Sequence, residues 1–313
     1  MKSHFFSHLS MFFVVLAMVS LAELTGEKEI IFPEVAALSA GCFLTPALVW
    51  KTSYLRMFLC ISICALLGVL IVIFVPLPLW GQFVLGFTVG QAVLYFSRTS
   101  FAPMISAIAL PVLIQTRSFV YVVAAIGLTL LVVILRFLLE KIHFREENHF
   151  DPVNIEPKEV VRVNAFRIIF VAFLSFFCIR FDMKFCVAPP LLVAFTELTN
   201  RNSGAVKRPF SVVALVSLCA VCGSVSRILF SSFPCFPLTI AAFVACICVQ
   251  ILVKVFKMPF PPAAAMSVLA FLIPETAVKF YPLQVAAGIT LLTIFALGWK
   301  RARVWSTAEG VLE

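Results

Sequence analysis

With 313 residues, of which 62% are hydrophobic and only 12% charged, and a mean hydropathy of +1.10, the chain lies outside the range of a soluble globular domain. A formal net charge of +9 would point to nucleic acid in a soluble chain, but most of the basic excess lies in short loops beside apolar segments, where it reports topology. The composition therefore excludes nucleic acid as a partner and makes the lipid bilayer the expected one.

The apolar segments fall near residues 5–24, 30–49, 55–76, 79–96, 101–114 and 119–139, then 165–181, 185–198, 209–230, 235–253, 260–273 and 280–299. The longer ones run for about 20 residues, enough at about 1.5 Å per residue to cross a hydrocarbon core of about 30 Å. They do not alternate, so they read as helices rather than barrel strands. The first, "MKSHFFSHLSMFFVVLAMVSLAEL", has the outline of a signal peptide, but its counterpart at 165–181 is internal, so a retained helix is expected. The only long polar stretch, "EKIHFREENHFDPVNIEPKEVVRV", divides the apolar material almost evenly. This gives a first membrane repeat over 1–140, a polar linker over 141–163, a second repeat over 164–304 and a tail over 305–313.

Internal matches support a duplication. "SICALLG" at 62–68 pairs with "SLCAVCG" at 217–223, and "VAAIGLTLL" at 123–131 with "VAAGITLL" at 285–292. At one constant offset Gln91 meets Gln250, Arg98 meets Lys257, Phe101 meets Phe260 and Pro103 meets Pro262; farther upstream Pro33 meets Pro190. The expected architecture is thus about twelve segments in two parallel six-segment repeats. With every segment spanning, most of the 24 Lys and Arg fall on one side, which places both termini and the linker in the cytoplasm, in a plasma membrane.

The fifth segment of each half, Phe101–Ile114 and Phe260–Ile273, is short for a span and led by proline, at Pro103 and at Pro261-Pro262. Proline suits the first turn of a helix, so these prolines mark helix starts, recessed or at the interface. A recessed start turns the positive end of the helix dipole, and any free N–H, toward what lies in front of it, which favours an anion. The candidate solute site comprises Pro103, Pro261, Pro262, Ala263 and Ala264, with Arg98 and Lys257 as attractors or interfacial anchors. Gln91 and Gln250 belong to it as pore lining, or serve as interhelical hydrogen bonds. Glu34, just after Pro33 and near an outer interface, is either a helix cap or an ion or proton site. Arg117, Arg180 and Arg227 lie near helix ends and are expected to snorkel.

Cys60, Cys64, Cys178, Cys219, Cys222, Cys246 and Cys248 fall in apolar segments and read as reduced core residues. Catalytic constellations, metal-ligand clusters and cofactor motifs are missing from the sequence, so no enzyme, metal or cofactor is expected.

Three stretches of the second half, "PPLLVAFTELTNRNS", "RPFSVVALVSLCAVCGS" and "PFPPAAAMSVLAFL", resemble the HPP family of integral membrane proteins. The last stands where that family has a His-Pro-Pro signature, with Phe260 in place of the histidine. "FAPMISAIALPVL" occupies the corresponding place in the first half and keeps a single proline. The resemblance implies transport of a small anion such as nitrite, without the signature histidine. The expected function is a transporter or channel for a small anionic solute bound between the repeats; the alternative is a non-transporting accessory or assembly protein. A homo-oligomer is left open.

Overall fold

The computed structural model describes residues 2–154, 156–200, 203–231 and 236–309, so Arg201, Asn202 and the last four residues of the tail lie outside the described residues. In chain order the helices are α1 (Lys2–Thr25), α2 (Glu34–Phe43), α3 (Tyr54–Phe74), α4 (Leu79–Phe96), α5 (Pro103–Ile114), α6 (Val120–Lys141) and α7 (Pro157–Arg180). They continue with α8 (Pro189–Thr199), α9 (Pro209–Ser231), α10 (Leu238–Phe256), α11 (Pro261–Leu272), a single turn α12 (Glu275–Val278) and α13 (Tyr281–Glu309). No strand occurs among the described residues.

Eight of these helices, α1, α3, α4, α6, α7, α9, α10 and α13, are long and apolar enough to cross a membrane. This corrects the expectation of twelve spans. Besides the two proline-led segments, α2 and α8 are also short, and the four run for only 10, 12, 11 and 12 residues. At about 1.5 Å per residue they cover about 15–18 Å. Local chemistry sets their ends. Pro46 follows closely on α2, Pro274 on α11, and α5 stops at Gln115, which turns into the left-handed region at φ 56°. Prolines stand in the first turn of α5, α8 and α11, where a missing N–H costs no helical bond. The linker is also shorter than the sequence implied, because α7 begins at Pro157.

The short helices form the interior. Every residue of α2 is buried, as is every residue of α5 except Ile114, of α8 except Glu197 and of α11 except Leu272. The long helices surround them and keep exposed apolar side chains, such as Leu55, Val123, Ile169 and Leu283, on their outer faces. The two halves exchange partners: α1 packs on α10, α7 on α4, α2 on α11 and α8 on α5. Both α2 and α8 touch both α5 and α11, so the interface between the halves is made largely of short helices.

A helix that ends among apolar side chains leaves its last carbonyl groups without partners. Three of the four short helices meet a buried arginine there. At the end of α2, Arg136 of α6 donates to Cys42 O at 2.6 Å and Pro46 O at 3.0 Å, while Arg145 of the linker donates to Phe43 O. At the end of α8, Arg167 of α7 donates to Thr196 O at 2.8 Å. At the end of α11, Arg227 of α9 donates to Ala270 O at 2.5 Å and Ile273 O at 2.6 Å. Their exposures are 0%, 7% and 5% for Arg136, Arg167 and Arg227, so Arg227 is a buried cap rather than a snorkelling side chain. Each cation also faces the negative end of a helix dipole. The end of α5 uses an amide instead: Gln115 Nε2 donates to Val112 O at 2.9 Å and to Gln82 Oε1 at 2.8 Å.

Several contacts recur in both halves. Tyr121 of α6 donates to Ala107 O of α5 at 2.8 Å, and Tyr281 of α13 donates to Met266 O of α11 at 2.7 Å. Gly68 of α3 sits against the backbone of Ile108, and Gly223 of α9 against that of Ser267, where a Cβ would collide with the carbonyl oxygen. Arg98 and Lys257 both adopt the left-handed conformation, each with φ 49°.

The arginine caps predict a measurable cost. Arg136 also pairs with Glu140 at 2.9 Å, and Tyr54 donates to the same carboxylate. Arg136→Met keeps the bulk but leaves Glu140 and the carbonyl groups of Cys42, Thr45, Pro46 and Glu146 without their cation, so thermal unfolding in detergent should reveal a loss of about 3 kcal/mol. Arg136→Lys should recover only part of it, because one ammonium cannot reach the same spread of acceptors.

Candidate functional site

The sequence-derived candidates divide into two regions. Around the start of α5 lie Pro103 and, one helix away, Gln91 of α4, whose neighbour Gly90 packs against Ile105 in the first turn of α5. Around the start of α11 lie Pro261, Pro262, Ala263 and Ala264, all buried, while Gln250 of α10 is half-buried farther along its helix. The two regions communicate through α2 and α8. Arg98, directly after the Ser97 cap of α4, and Lys257, the cap of α10, are exposed side chains, which suits the anchoring alternative better than direct contact with a buried solute.

Proline chemistry limits what the helix starts can offer. Pro261 and Pro262 carry no N–H, and the first available donor of α11, Ala263, turns back to Phe260 O at 3.0 Å. In α8, Leu191 likewise donates to Ala188 O at 2.8 Å behind Pro189 and Pro190. In α5, Ile105 donates to Ala102 O at 2.9 Å behind Pro103. Five donors that the anion argument would use are thus absent and three are spent locally. What these ends retain is the dipole, and the expectation that a cradle of backbone N–H groups forms there needs that correction.

The two glutamines behave differently from each other. Gln250 Oε1 lies 2.8 Å from His8 Nδ1 of α1, a half-buried pair. Gln91 is 1% exposed and belongs to a larger group in which its Nε2 donates to Thr196 Oγ1 of α8 at 3.0 Å. Its Oε1 accepts from Arg167 Nη1 of α7 at 3.1 Å. The same guanidinium donates to Asn164 Oδ1 at 3.2 Å, Thr199 Oγ1 at 2.8 Å and Thr196 O at 2.8 Å. Both glutamines therefore bridge helices of opposite halves.

Arg167 is the residue that sequence reasoning passed over. It lies inside the predicted segment 165–181, and it stands at the same offset from His8 as Gln250 does from Gln91, so its register was readable. Its four partners are all neutral, and they occupy four of the five N–H bonds of a guanidinium. A buried charge without a counter-ion costs several kcal/mol that neutral dipoles only partly return. The arrangement can accept an anion: a carboxylate-sized or smaller oxyanion that displaced Gln91 Oε1 and Asn164 Oδ1 would exchange neutral acceptors for a charged one, with stronger hydrogen bonds.

Glu34 is the first residue of α2, directly behind Pro33, and both of its sequence-based alternatives, cap and proton site, stay open there. It is 1% exposed rather than interfacial, and Ser106 of α5 donates to its Oε1 while Oε2 has no partner. Ser39 Oγ on the same helix and Thr129 Oγ1 on the adjoining α6 are also buried and unpartnered. A second acid, Glu197, is half-buried at the end of α8 and accepts from Trp50 Nε1 at 3.1 Å; the Trp50 ring meets Phe101 edge-on, next to the start of α5.

An apolar groove of about 600 Å³ runs between α7 and α13, away from these residues. Phe166 stacks on Trp299 at 4.3 Å along it, and exposed Ile169 and Phe173 place it on the outer face, where acyl chains reach. No group of three or more potential metal-ligating side chains occurs among the described residues.

Burial at the α11 start sets an accessibility prediction. In a background without the native cysteines, Ala263→Cys should resist a membrane-impermeant thiol reagent, whereas Arg98→Cys and Lys257→Cys should react. Rapid labelling at 263 would instead reveal a water-filled path to the α11 start. No family model, curated protein or solved structure matches this chain, so nothing beyond its own residues carries the HPP likeness.

Proposed function

We propose that this multi-pass membrane protein is a carrier of a small anion, related to the HPP family. In this reading two six-helix repeats meet through their short helices and rock against each other. Matched contacts in the two halves favour the duplication: the paired tyrosines, the two close glycine crossings, and the equivalent left-handed turns at Arg98 and Lys257. The interface of short helices supplies packed elements that can shift as units, the arrangement alternating access requires.

One observation carries the anion reading: Arg167 is a buried guanidinium whose partners are all neutral. Intramembrane ionisable groups mark solute pathways by default, and this one lacks a protein carboxylate to neutralise it. The nearby first turn of α5 adds the positive end of its dipole. A planar guanidinium matches planar oxyanions in two-point contact, so nitrite, nitrate and formate are favoured over chloride. Basic residues concentrated at the linker end raise the local anion concentration there.

Flux in proteoliposomes tests this reading. Nitrite, nitrate or formate should move faster than chloride. Arg167→Gln should lower flux about tenfold or more, the scale of one charge-assisted hydrogen bond. Arg167→Lys should keep part of the flux and lose the preference for planar anions. Absence of flux for all four anions from well-folded protein would overturn the carrier reading in favour of an accessory or assembly role.

A further inference from the structure

Resting on the carrier reading, we propose that Glu34 is a proton-binding site that couples anion movement to a proton gradient. Its position is unlike that of a structural carboxylate. It sits at the first residue of α2, at the heart of the short-helix interior, fully enclosed, with Ser106 of α5 donating to Oε1 and with Oε2 unpartnered.

Among the described residues the surroundings contain no counter-charge. Four helices pack on α2. Of these, α5 and α11 carry no charged or titratable side chain at all. From α6 come Tyr121, whose hydroxyl is bonded to Ala107 O, and Arg136, Glu140 and Lys141, which lie at or beyond the opposite end of α2, where Arg136 holds the Cys42 carbonyl. From α1 come His8, bonded to Gln250, and Glu23, bonded to the backbone of Leu238 and Thr239. On α2 itself the other titratable group is Cys42, at that same opposite end. Just before α2, Glu29 is bonded to Thr116 and Lys28 lies exposed in the same turn. No described cation therefore contacts the carboxylate, and the remaining way to remove its charge in place is to add a proton.

The same residue joins the two moving parts. Ser106 lies one turn into α5, the helix whose start adjoins the Gln91–Arg167 group, while α2 packs against α11 of the other half. A change in how α2 meets α5 would alter both the hydrogen bond to Oε1 and the access of water to Oε2. Oε2 takes a proton from water at one face and returns it to water at the other; no other bond forms or breaks. One proton carried with one anion makes the step electroneutral.

Two measurements decide the matter separately from the carrier reading. Infrared titration of the purified protein in lipid, run from acid to alkaline pH, should reveal a protonated-carboxyl band that disappears on deprotonation and is missing in Glu34→Gln. This readout needs no transport. In proteoliposomes, an inward proton gradient should drive accumulation of the anion; Glu34→Gln should lower that accumulation about tenfold and flatten its pH profile, with Glu34→Asp retaining part. A band unchanged in Glu34→Gln, or gradient-driven accumulation that survives it, would overturn the proposal. So would accumulation driven by a sodium gradient with the proton gradient inert. If wild-type protein moves no anion at all, the carrier reading falls, and the infrared band still decides whether Glu34 exchanges a proton.

Discussion

A helix of ten to twelve residues is too short to cross a bilayer alone, and where its last carbonyl groups are buried among apolar side chains they need partners from the protein. Each such group left bare costs several kcal/mol. The rest of the fold depends on how that constraint is met. Arginines from three long helices, α6, α7 and α9, reach inward to the ends of α2, α8 and α11, and Gln115 closes α5 from within its own turn. The guanidinium suits the task because it presents several donors in a plane and carries a positive charge toward the negative end of the helix dipole. In return the carbonyl groups solvate a cation that the surrounding apolar side chains could not. Arg145, drawn to Phe43 O beside Arg136, shows how strongly the end of α2 attracts such groups: burial, with the Arg136 charge added, holds its guanidinium below its ordinary value.

Helix starts are treated by the opposite device. Where the ends gain donors, the starts of α5, α8 and α11 lose them, because proline removes N–H groups that would otherwise face apolar packing. The short helices are therefore quiet at both ends for different reasons, and the interior can be packed on every side. This explains why so many of their residues are Ala, Pro, Ser and Gly-facing positions: the backbone of α5 comes within reach of Gly68 and Gly90, and that of α11 within reach of Gly223. Small side chains let whole helices serve as the contact surface between the halves.

Much of this was legible in the sequence. The long apolar segments, the polar divide after Glu140, and the proline-led shortness of α5 and α11 follow from hydropathy and from the fixed geometry of proline. The shortness of α2 was not legible, because residues 44–50 are as apolar as a helix and only the Thr45-Pro46 pair hinted at an early stop. The arginine caps were hidden for a different reason. Arg136, Arg167 and Arg227 lie in apolar stretches within a few turns of basic loops, where snorkelling and capping look alike until the neighbouring helix is known. Hydropathy records that a charge is present; the acceptor it meets belongs to a segment up to about 100 residues away in the chain, as Cys42 does for Arg136.

The two halves differ most in their charged interior residues. Paired tyrosines, glycine crossings and left-handed turns recur in both halves and account for packing. The charged interior residues do not recur: Glu34 has Leu191 as its counterpart and Arg167 has His8. A glutamine bridges the halves at the contact of α4 with α7 and at that of α10 with α1, and of these two contacts the first holds an arginine and the second a histidine. In the proposed carrier, two contacts of unequal charge on a shared interface would bind a single anion in one place rather than two. With the acid of α2 likewise present once, a carrier built from two halves would move one anion and one proton in each cycle, a stoichiometry that follows from where the symmetry fails.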